Sequence, residues 1–229
     1  MNKEFLKACE RGETETAAIL LDNGAKGRVE ALKLASENGN TETLDMLLDR
    51  GIDVNIKNSW GFTALMELFY LSCVYGEQAT EGLTMLLDRG ADVNVKTKKN
   101  RGIFLEGTTA LMLAIIHQYT ETVALLLERG ADVNATDKWG NSALTIASKH
   151  GRTEIVKILL ERGADVLAVD KYGRTALNIA SKYGRTEIVK LINNMKHTIL
   201  IIKKGCTKNN KPLVPCAHRE TIQRIASFF

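Results

Sequence analysis

A pattern that recurs about every 33 residues constrains the fold of this 229-residue chain more than any other feature. The dipeptide Thr-Glu occurs six times, and it begins at Thr14, Thr41, Thr80, Thr120, Thr153 and Thr186. Ten residues after each of the first five comes a glycine, and the residues between them are largely apolar. Successive pairs lie 27, 39, 40, 33 and 33 residues apart, so the base period is 33. The chain is therefore predicted to be an array of similar units.

Each unit is predicted to form two helices followed by a hairpin. In the fifth unit, Ser142 can N-cap a first helix over residues 143–150, and Gly151 can end that helix because a C′ position favours a left-handed backbone. Thr153 then begins a second helix, with Glu154 in the first turn, where the helix dipole favours a negative charge. One helix pair cannot bury its apolar face alone, whereas stacked copies share a continuous core. The pattern indicates a solenoid.

These units resemble the ankyrin-repeat family. The motif Asp-x-x-Gly-x-Thr/Ser-Ala-Leu stands at residues 137–144 and 170–177, and Leu-Leu-x-x-Gly-Ala-Asp-Val-Asn stands at 126–134. The resemblance covers about six repeats over residues 4–197. It implies an α-dominated ankyrin-repeat solenoid of stacked helix-turn-helix units with short β-hairpin loops. The family's Thr-Pro-Leu-His is Thr/Ser-Ala-Leu-x here, so the first helix is kept, since alanine is a good helix former, and the family's Thr–His hydrogen bond is lost.

Irregular spacing divides the chain into three parts. Residues 1–26 begin directly at a helix and are predicted to be an N-terminal capping repeat. Residues 27–197 are predicted to hold repeats 2–6, with insertions near 69–79 and 96–106. The first insertion is expected to prolong a first helix or its turn, and the second to lengthen a hairpin. Residues 198–229 form a basic C-terminal tail with a predicted short helix, either a cover for the last repeat or a docking helix for another protein.

Composition narrows the class of protein. The longest apolar stretches fall far short of roughly 18–20 residues, so no membrane span is expected. Four scattered cysteines suit a reducing compartment, which favours the cytoplasm, with secretion into a host cytosol as an alternative. Residues 1–95 carry a net charge of −7 and residues 96–229 a net charge of +11. Such asymmetry indicates that the two halves prefer different partners.

No catalytic or cofactor-binding motif is present, so the protein is expected not to be an enzyme and to need neither cofactor nor metal. His117 and His150 occupy the same repeat position, but a metal would need a third ligand beside them. Most carboxylates recur in every unit, where they serve turns or helix starts. Function is therefore expected at positions that do not recur.

The resemblance places partner binding on the concave face, which hairpin tips and first helices form. Aromatic and cationic residues at these positions are typical of binding hot spots. The alternative is that each aromatic side chain only packs on its neighbour in the next hairpin. The expected contact residues are Trp60, Phe62, Tyr70, His117, Lys138, Trp139, Asn141, Lys149, His150, Lys171, Tyr172, Arg174, Lys182 and Tyr183.

The leading hypothesis is a monomeric, non-catalytic protein–protein interaction scaffold that binds an extended or acidic segment of a partner protein. A second hypothesis is nucleic-acid or acidic-ligand binding through the basic C-terminal half. It is less favoured because the basic residues alternate with acidic ones along the repeats and no nucleic-acid-reading motif is present. A third hypothesis is a regulatory or effector subunit of an enzyme that is carried on another chain.

Overall fold

The computed structural model describes residues 1–70, 77–100 and 106–205. Within these residues the chain forms helix pairs, one pair in each of six repeats. The helices are α1 (Asn2–Arg11), α2 (Thr14–Asp22), α3 (Arg28–Glu37), α4 (Thr41–Asp49), α5 (Ala64–Tyr70), α6 (Glu77–Asp88), α7 (Ala110–Ile116), α8 (Thr120–Glu128), α9 (Ala143–His150), α10 (Thr153–Glu161), α11 (Ala176–Lys182) and α12 (Thr186–Gly205). Every Thr-Glu pair except the third begins its helix, as expected, and the predicted α-dominated solenoid of stacked helix pairs is confirmed.

The helices stack in two layers. The first helices of the repeats, α1, α3, α5, α7, α9 and α11, each pack on the next. The second helices pack likewise in two series, α2 with α4 and α6, and α8 with α10 and α12. Leucines at one repeat position of each layer are fully buried between successive units, among them Leu65 and Leu144 in first helices and Leu86 and Leu159 in second helices. Equivalent positions therefore form one continuous core along the stack.

Local capping chemistry sets the helix bounds of the fifth repeat. The Ser142 hydroxyl accepts a hydrogen bond from the backbone N–H of Thr145 at 3.3 Å, and α9 follows at once. Gly151 ends α9 with a φ of 72°, a conformation that costs glycine little. Both predicted ends of this helix are confirmed.

A ladder of asparagines joins each repeat to the next along the loops after the second helices. Asn55, Asn94 and Asn134 each accept a hydrogen bond from a backbone N–H and donate one to a backbone carbonyl of the following repeat. The residue at this position after α10 is Leu167, which is 54% exposed. The ladder thus ends at this loop, because the sixth-repeat position equivalent to the bonded loop glycine, residue 196, lies inside α12.

The third repeat departs from the others. Of its predicted insertion near 69–79, residues 69–70 lie in α5 and residues 77–79 begin the second helix α6. Gly82 of α6 lies against α3, so closely that a Cβ at this position would be 2.0 Å from the carbonyl oxygen of Ser36. Only glycine allows this approach of the backbones of α3 and α6.

Residues 71–76, where a longer first helix or turn was expected, lie outside the described residues.

Two further predictions concern segments that the structure describes only in part. The second insertion, near 96–106, is described only at its ends, because residues 101–105 lie outside the described residues. At the C-terminus, α12 continues past residue 197 to Gly205. The predicted short helix of the tail falls within residues 206–229, which also lie outside the described residues.

Candidate functional site: hairpin tips and first helices

A buried aspartate closes the hairpin that precedes α9. Asp137 Oδ1 accepts hydrogen bonds from the backbone N–H groups of Trp139 and Asn141, at 2.8 and 2.9 Å. A single antiparallel bridge between Thr136 and Ser142 lies at the base. The hairpin thus consists of one bridge and a tight turn, and it presents Lys138 and Trp139 at its tip.

The next hairpin repeats this geometry with a salt bridge added. Asp170 accepts hydrogen bonds from the backbone N–H groups of Tyr172 and Arg174, and the Arg174 guanidinium bonds its second oxygen at 2.7 Å. Desolvation raises the pKa of Asp170, but these hydrogen bonds outweigh it and hold the pKa below its usual value. Asp170 therefore stays ionised and fixes the position of Arg174.

Successive tips are joined through their backbones. The N–H of Lys171 donates to the carbonyl of Trp139 at 2.9 Å, and the N–H of Lys98 donates to the carbonyl of Trp60 at 3.0 Å. Lys138 makes the same bond to Glu106 at 2.9 Å. The spacing and orientation of the tips are therefore fixed by main-chain hydrogen bonds, so the tip side chains lie on a rigid support.

Four tip side chains form a stack on this support. The rings of Trp139 and Tyr172 lie 6.1 Å apart with an interplanar angle of 18°. The Lys138 ammonium lies 5.4 Å from the Trp139 ring centroid, and the Arg174 guanidinium lies 4.7 Å from that of Tyr172. Both rings remain accessible, Trp139 at 38% and Tyr172 at 63% exposure. The aromatic side chains of successive hairpins thus pack on each other, and both rings still face solvent.

The three other residues expected at the hairpin tips differ from one another in how far they reach solvent. Phe62 is fully buried in the core, so its expected place on the exposed tip needs correction. It occupies the turn position of Asn141 and Arg174, whose polar side chains fold back onto the hairpin aspartate, whereas the phenyl ring gains more by burial. Asn141 itself is half-buried and donates to Asp137 Oδ2 at 2.8 Å, which gives it a role within the hairpin. Trp60 is 40% exposed at the tip of the third repeat.

The expected first-helix residues lie at the C-terminal ends of their helices. Lys149, His150, Lys182 and Tyr183 are exposed, and Lys182 lies 5.9 Å from the Tyr183 ring. Burial, with the charges of Lys149, Arg152 and Arg185, lowers the pKa of His150. The side chain of Tyr70 lies outside the described part of the structure.

His117 ends the equivalent helix α7, and its ring stacks on Tyr119 at 5.8 Å. Burial and the charge of Arg152 lower its pKa. His117 and His150 thus occupy equivalent places in different first helices, as their alignment in the sequence predicts.

Two arginines that we did not single out from the sequence complete this region. Arg152 bonds the Ile116 carbonyl and the Gln118 side chain of the preceding repeat, and Arg185 lies beside Gly151. Both directly precede a Thr-Glu pair, so their recurrence at one repeat position was the available signal.

Together these residues form a basic face. We define it as the surface of residues 136–152 and 169–185, which are the last two hairpins with their first helices and inter-helix turns. It contains seven Lys or Arg residues: Lys138, Lys149, Arg152, Lys171, Arg174, Lys182 and Arg185. Its two carboxylates, Asp137 and Asp170, are at most 9% exposed. The acids of these repeats that reach solvent lie elsewhere, chiefly on the second helices.

The first helix of repeat 2 carries no such excess of cations, because the two glutamates of α3 balance its arginine and its lysine. The Lys33 ammonium is buried between Glu30 and Glu37 of α3, with N–O distances of 3.6 and 2.9 Å. Burial lowers the pKa of Lys33, but the hydrogen bond that its ammonium donates to Glu37 and the charges of Glu30, Glu37 and Glu67 outweigh it and raise the pKa. The only cation of α3 beyond its first residue is thus neutralised by its neighbours.

The described residues contain no cluster of three or more His, Cys, Asp or Glu side chains that could hold a metal ion. None of the helices that the structure describes is both long and apolar enough to cross a membrane.

Comparison with known families gives one match. A family profile for ankyrin repeats matches three times, over residues 5–58, 68–170 and 129–209, and so covers most of the chain. No curated protein matches the sequence.

Proposed function

Because the chain belongs to the ankyrin-repeat family, whose repeats are generally protein–protein interaction modules, we propose that it is a non-catalytic scaffold that binds a partner protein along its hairpin tips and first helices. The contact residues of this proposal are the expected ones, with Phe62 left out and Arg152 and Arg185 added. The module acts as a monomer in the cytoplasm.

The observation that carries the proposal is the stack of Lys138, Trp139, Tyr172 and Arg174. Large, partly exposed rings beside cations dominate binding energy at protein interfaces. Their positions are held by the aspartate turns and by the hydrogen bond between the two tips. A surface that is fixed before binding loses little conformational entropy when a partner docks.

Absence of catalysis is proposed from the roles of the acidic groups at this surface. Asp137 and Asp170 are the carboxylates of the two hairpins that carry the stack, and hydrogen bonds within the hairpins occupy both. The imidazoles of His117 and His150 belong to different repeats.

Affinity measurements on aromatic variants test this proposal. A partner protein would first be isolated from cells of the source organism by affinity purification, with this protein as bait. Its affinity for the Trp139→Ala and Tyr172→Ala variants would then be measured by titration calorimetry. Each is expected to weaken binding by about 2 kcal/mol, the threshold for a hot spot. Lys157→Ala on α10 is the control, since it removes an exposed side chain of the same repeat from the second-helix layer. Unchanged affinity for both aromatic variants would move the binding site away from the tips.

A further inference from the structure

Charges that alternate along the sequence are separated in space in repeats 5 and 6. Within the basic face every carboxylate is buried, while the seven cations are exposed or half-buried. The exposed acids Glu154, Glu161 and Glu187 lie on the second helices α10 and α12. In the sequence, the alternation of basic and acidic residues argues against a surface that binds anions. The separation of these charges in space removes that argument for the basic face. The face has the electrostatic properties of an anion-binding surface.

Most of this positive charge is free to act on a ligand. Arg174 is the only one of the seven cations that forms a salt bridge within the described residues. Lys157 and Lys190, on the second helices of the same repeats, instead pair with Glu154 and Glu187. The net field of repeats 5 and 6 is therefore strongest on the basic face.

The aromatic stack favours a carboxylate-bearing ligand over stacked nucleotide bases. Single-stranded nucleic acids bind aromatic residues by placing bases on open ring faces. Here Trp139 already has Lys138 and Tyr172 as neighbours, and Tyr172 has Trp139 and Arg174. A base would therefore compete with these neighbours for the ring faces. A carboxylate needs no ring face, because it can bond the cations at the edge of the stack.

The spacing of the cations suits an extended polypeptide. Three pairs recur at equivalent positions of the two repeats, namely Lys138 with Lys171, Lys149 with Lys182, and Arg152 with Arg185. Packed neighbouring helices lie roughly 8–10 Å apart. An extended chain in the polyproline II conformation advances about 3.1 Å per residue with three residues per turn, so side chains three positions apart lie on the same side of the chain, about 9 Å apart. Carboxylates at every third residue would match the step between repeats.

We propose that the basic face selects an extended acidic segment of the partner protein, with a carboxylate at about every third residue. This inference rests on the function proposed above and specifies the chemistry of the partner. It assigns Lys149, Arg152, Lys182 and Arg185 the recognition of carboxylates, and it assigns the stack the anchoring of the segment.

Synthetic peptides test the proposal without knowledge of the natural partner. Fluorescence anisotropy would compare a labelled peptide of roughly ten residues, long enough to span about three repeat steps, with two peptides of the same length. The first has glutamate at every third position, the second has the same glutamates in one block, and the third has glutamine throughout. We expect the spaced peptide to bind most tightly, with an affinity that falls as salt is added.

Two matched double variants assign the effect to one face. Lys149→Glu with Lys182→Glu reverses two charges on the basic face, and Lys157→Glu with Lys190→Glu makes the same change on the second helices. The first pair should weaken binding of the spaced peptide by about tenfold or more, and the second by less than about threefold. Thermal unfolding of both proteins would confirm that they are folded. Equal losses for the two pairs would overturn the assignment to the basic face.

Two further outcomes would overturn the acidic segment. Equal affinity of the glutamate and glutamine peptides would exclude charge selection, yet the proposed function would stand if the purified partner still depended on Trp139. Tighter binding of an oligothymidine of matched charge, lost on Lys149→Glu with Lys182→Glu, would make the ligand a nucleic acid. Failure of the partner to respond to Trp139→Ala and Tyr172→Ala would instead contradict the proposed function itself.

Discussion

Removing one asparagine from the inter-repeat ladder should destabilise the whole stack, and Asn94→Ala is the clearest case. Asn94 Oδ1 accepts a hydrogen bond from the backbone N–H of Asp132 at 2.8 Å, and its Nδ2 donates to the Gly130 carbonyl at 3.0 Å. Both bonds connect repeat 3 to the loop after α8 in repeat 4. Alanine at this position would leave one donor and one acceptor without a protein partner.

The expected loss follows from these two bonds. A typical intramolecular hydrogen bond contributes about 0.5–1.5 kcal/mol net. Asn94 is exposed, so water can replace part of what is lost, and the variant should lose about 1–2 kcal/mol of unfolding free energy. For a chain of this size, such a loss lowers Tm by roughly 2–8 °C.

Urea unfolding followed by circular dichroism would measure this loss, with an unchanged slope showing that the unfolded surface is the same. Leu167→Asn is the matched control, because it places an asparagine at the ladder position that faces the continuous helix α12 of the next repeat, where there is no equivalent loop to bond. It should change stability by less than about 0.5 kcal/mol. A loss under about 0.3 kcal/mol for Asn94→Ala would refute the ladder as a stabilising element.

Two other predictions concern stability. Gly82→Ala should destabilise by about 1–3 kcal/mol, because the new Cβ would press on the Ser36 carbonyl, although helix propensity alone predicts a gain of about 1 kcal/mol; chemical unfolding gives the sign. The pKa of His150 is lowered in the folded protein, so the unfolded chain binds the proton more tightly. The contribution of the neutral His150 ring to the free energy of unfolding is therefore present above about pH 6.5, and it is lost as the pH falls through the folded-state pKa. Tm should therefore fall less between pH 7 and pH 5.5 in His150→Gln than in the parent, and an equal or steeper fall would contradict the shift.

Local chemistry made much of the fold predictable from sequence. The cap at Ser142, the left-handed Gly151 and the start at Thr153 each depend on residues within one or two turns of the helix. Such signals act in the same way wherever they occur. The third repeat was less predictable, because the position of α6 depends on contact between Gly82 and a helix more than forty residues earlier.

The candidate site was predictable in position but not in side-chain direction. Repeat alignment placed Phe62 at the same turn position as Asn141 and Arg174, and the backbone there is alike. The side-chain direction differs because an amide or guanidinium can bond the hairpin aspartate, whereas a phenyl ring cannot. The polarity of the residue at this position was therefore the available sequence signal, because the polar side chains bond the hairpin and the phenyl ring is buried in the core.

The charge separation was hidden by the order of the sequence. In each repeat the basic residues of the hairpin and first helix are followed within a few positions by the acids of the second helix, as Arg152 is by Glu154. Read along the chain they alternate. The fold places them in different layers, and only the three-dimensional arrangement shows a face with a single sign of charge.

Site-specific photo-crosslinking tests the central claim, that partners dock on the tips and first helices, most directly. The photoreactive residue p-benzoylphenylalanine would replace Tyr172 in one protein and Lys157 in another, and each would be illuminated with the purified partner. Tyr172 lies in the tip stack, and Lys157 lies in the second-helix layer of the adjacent repeat. The account predicts a covalent complex through position 172 and none through position 157. A complex formed through position 157 alone would contradict it.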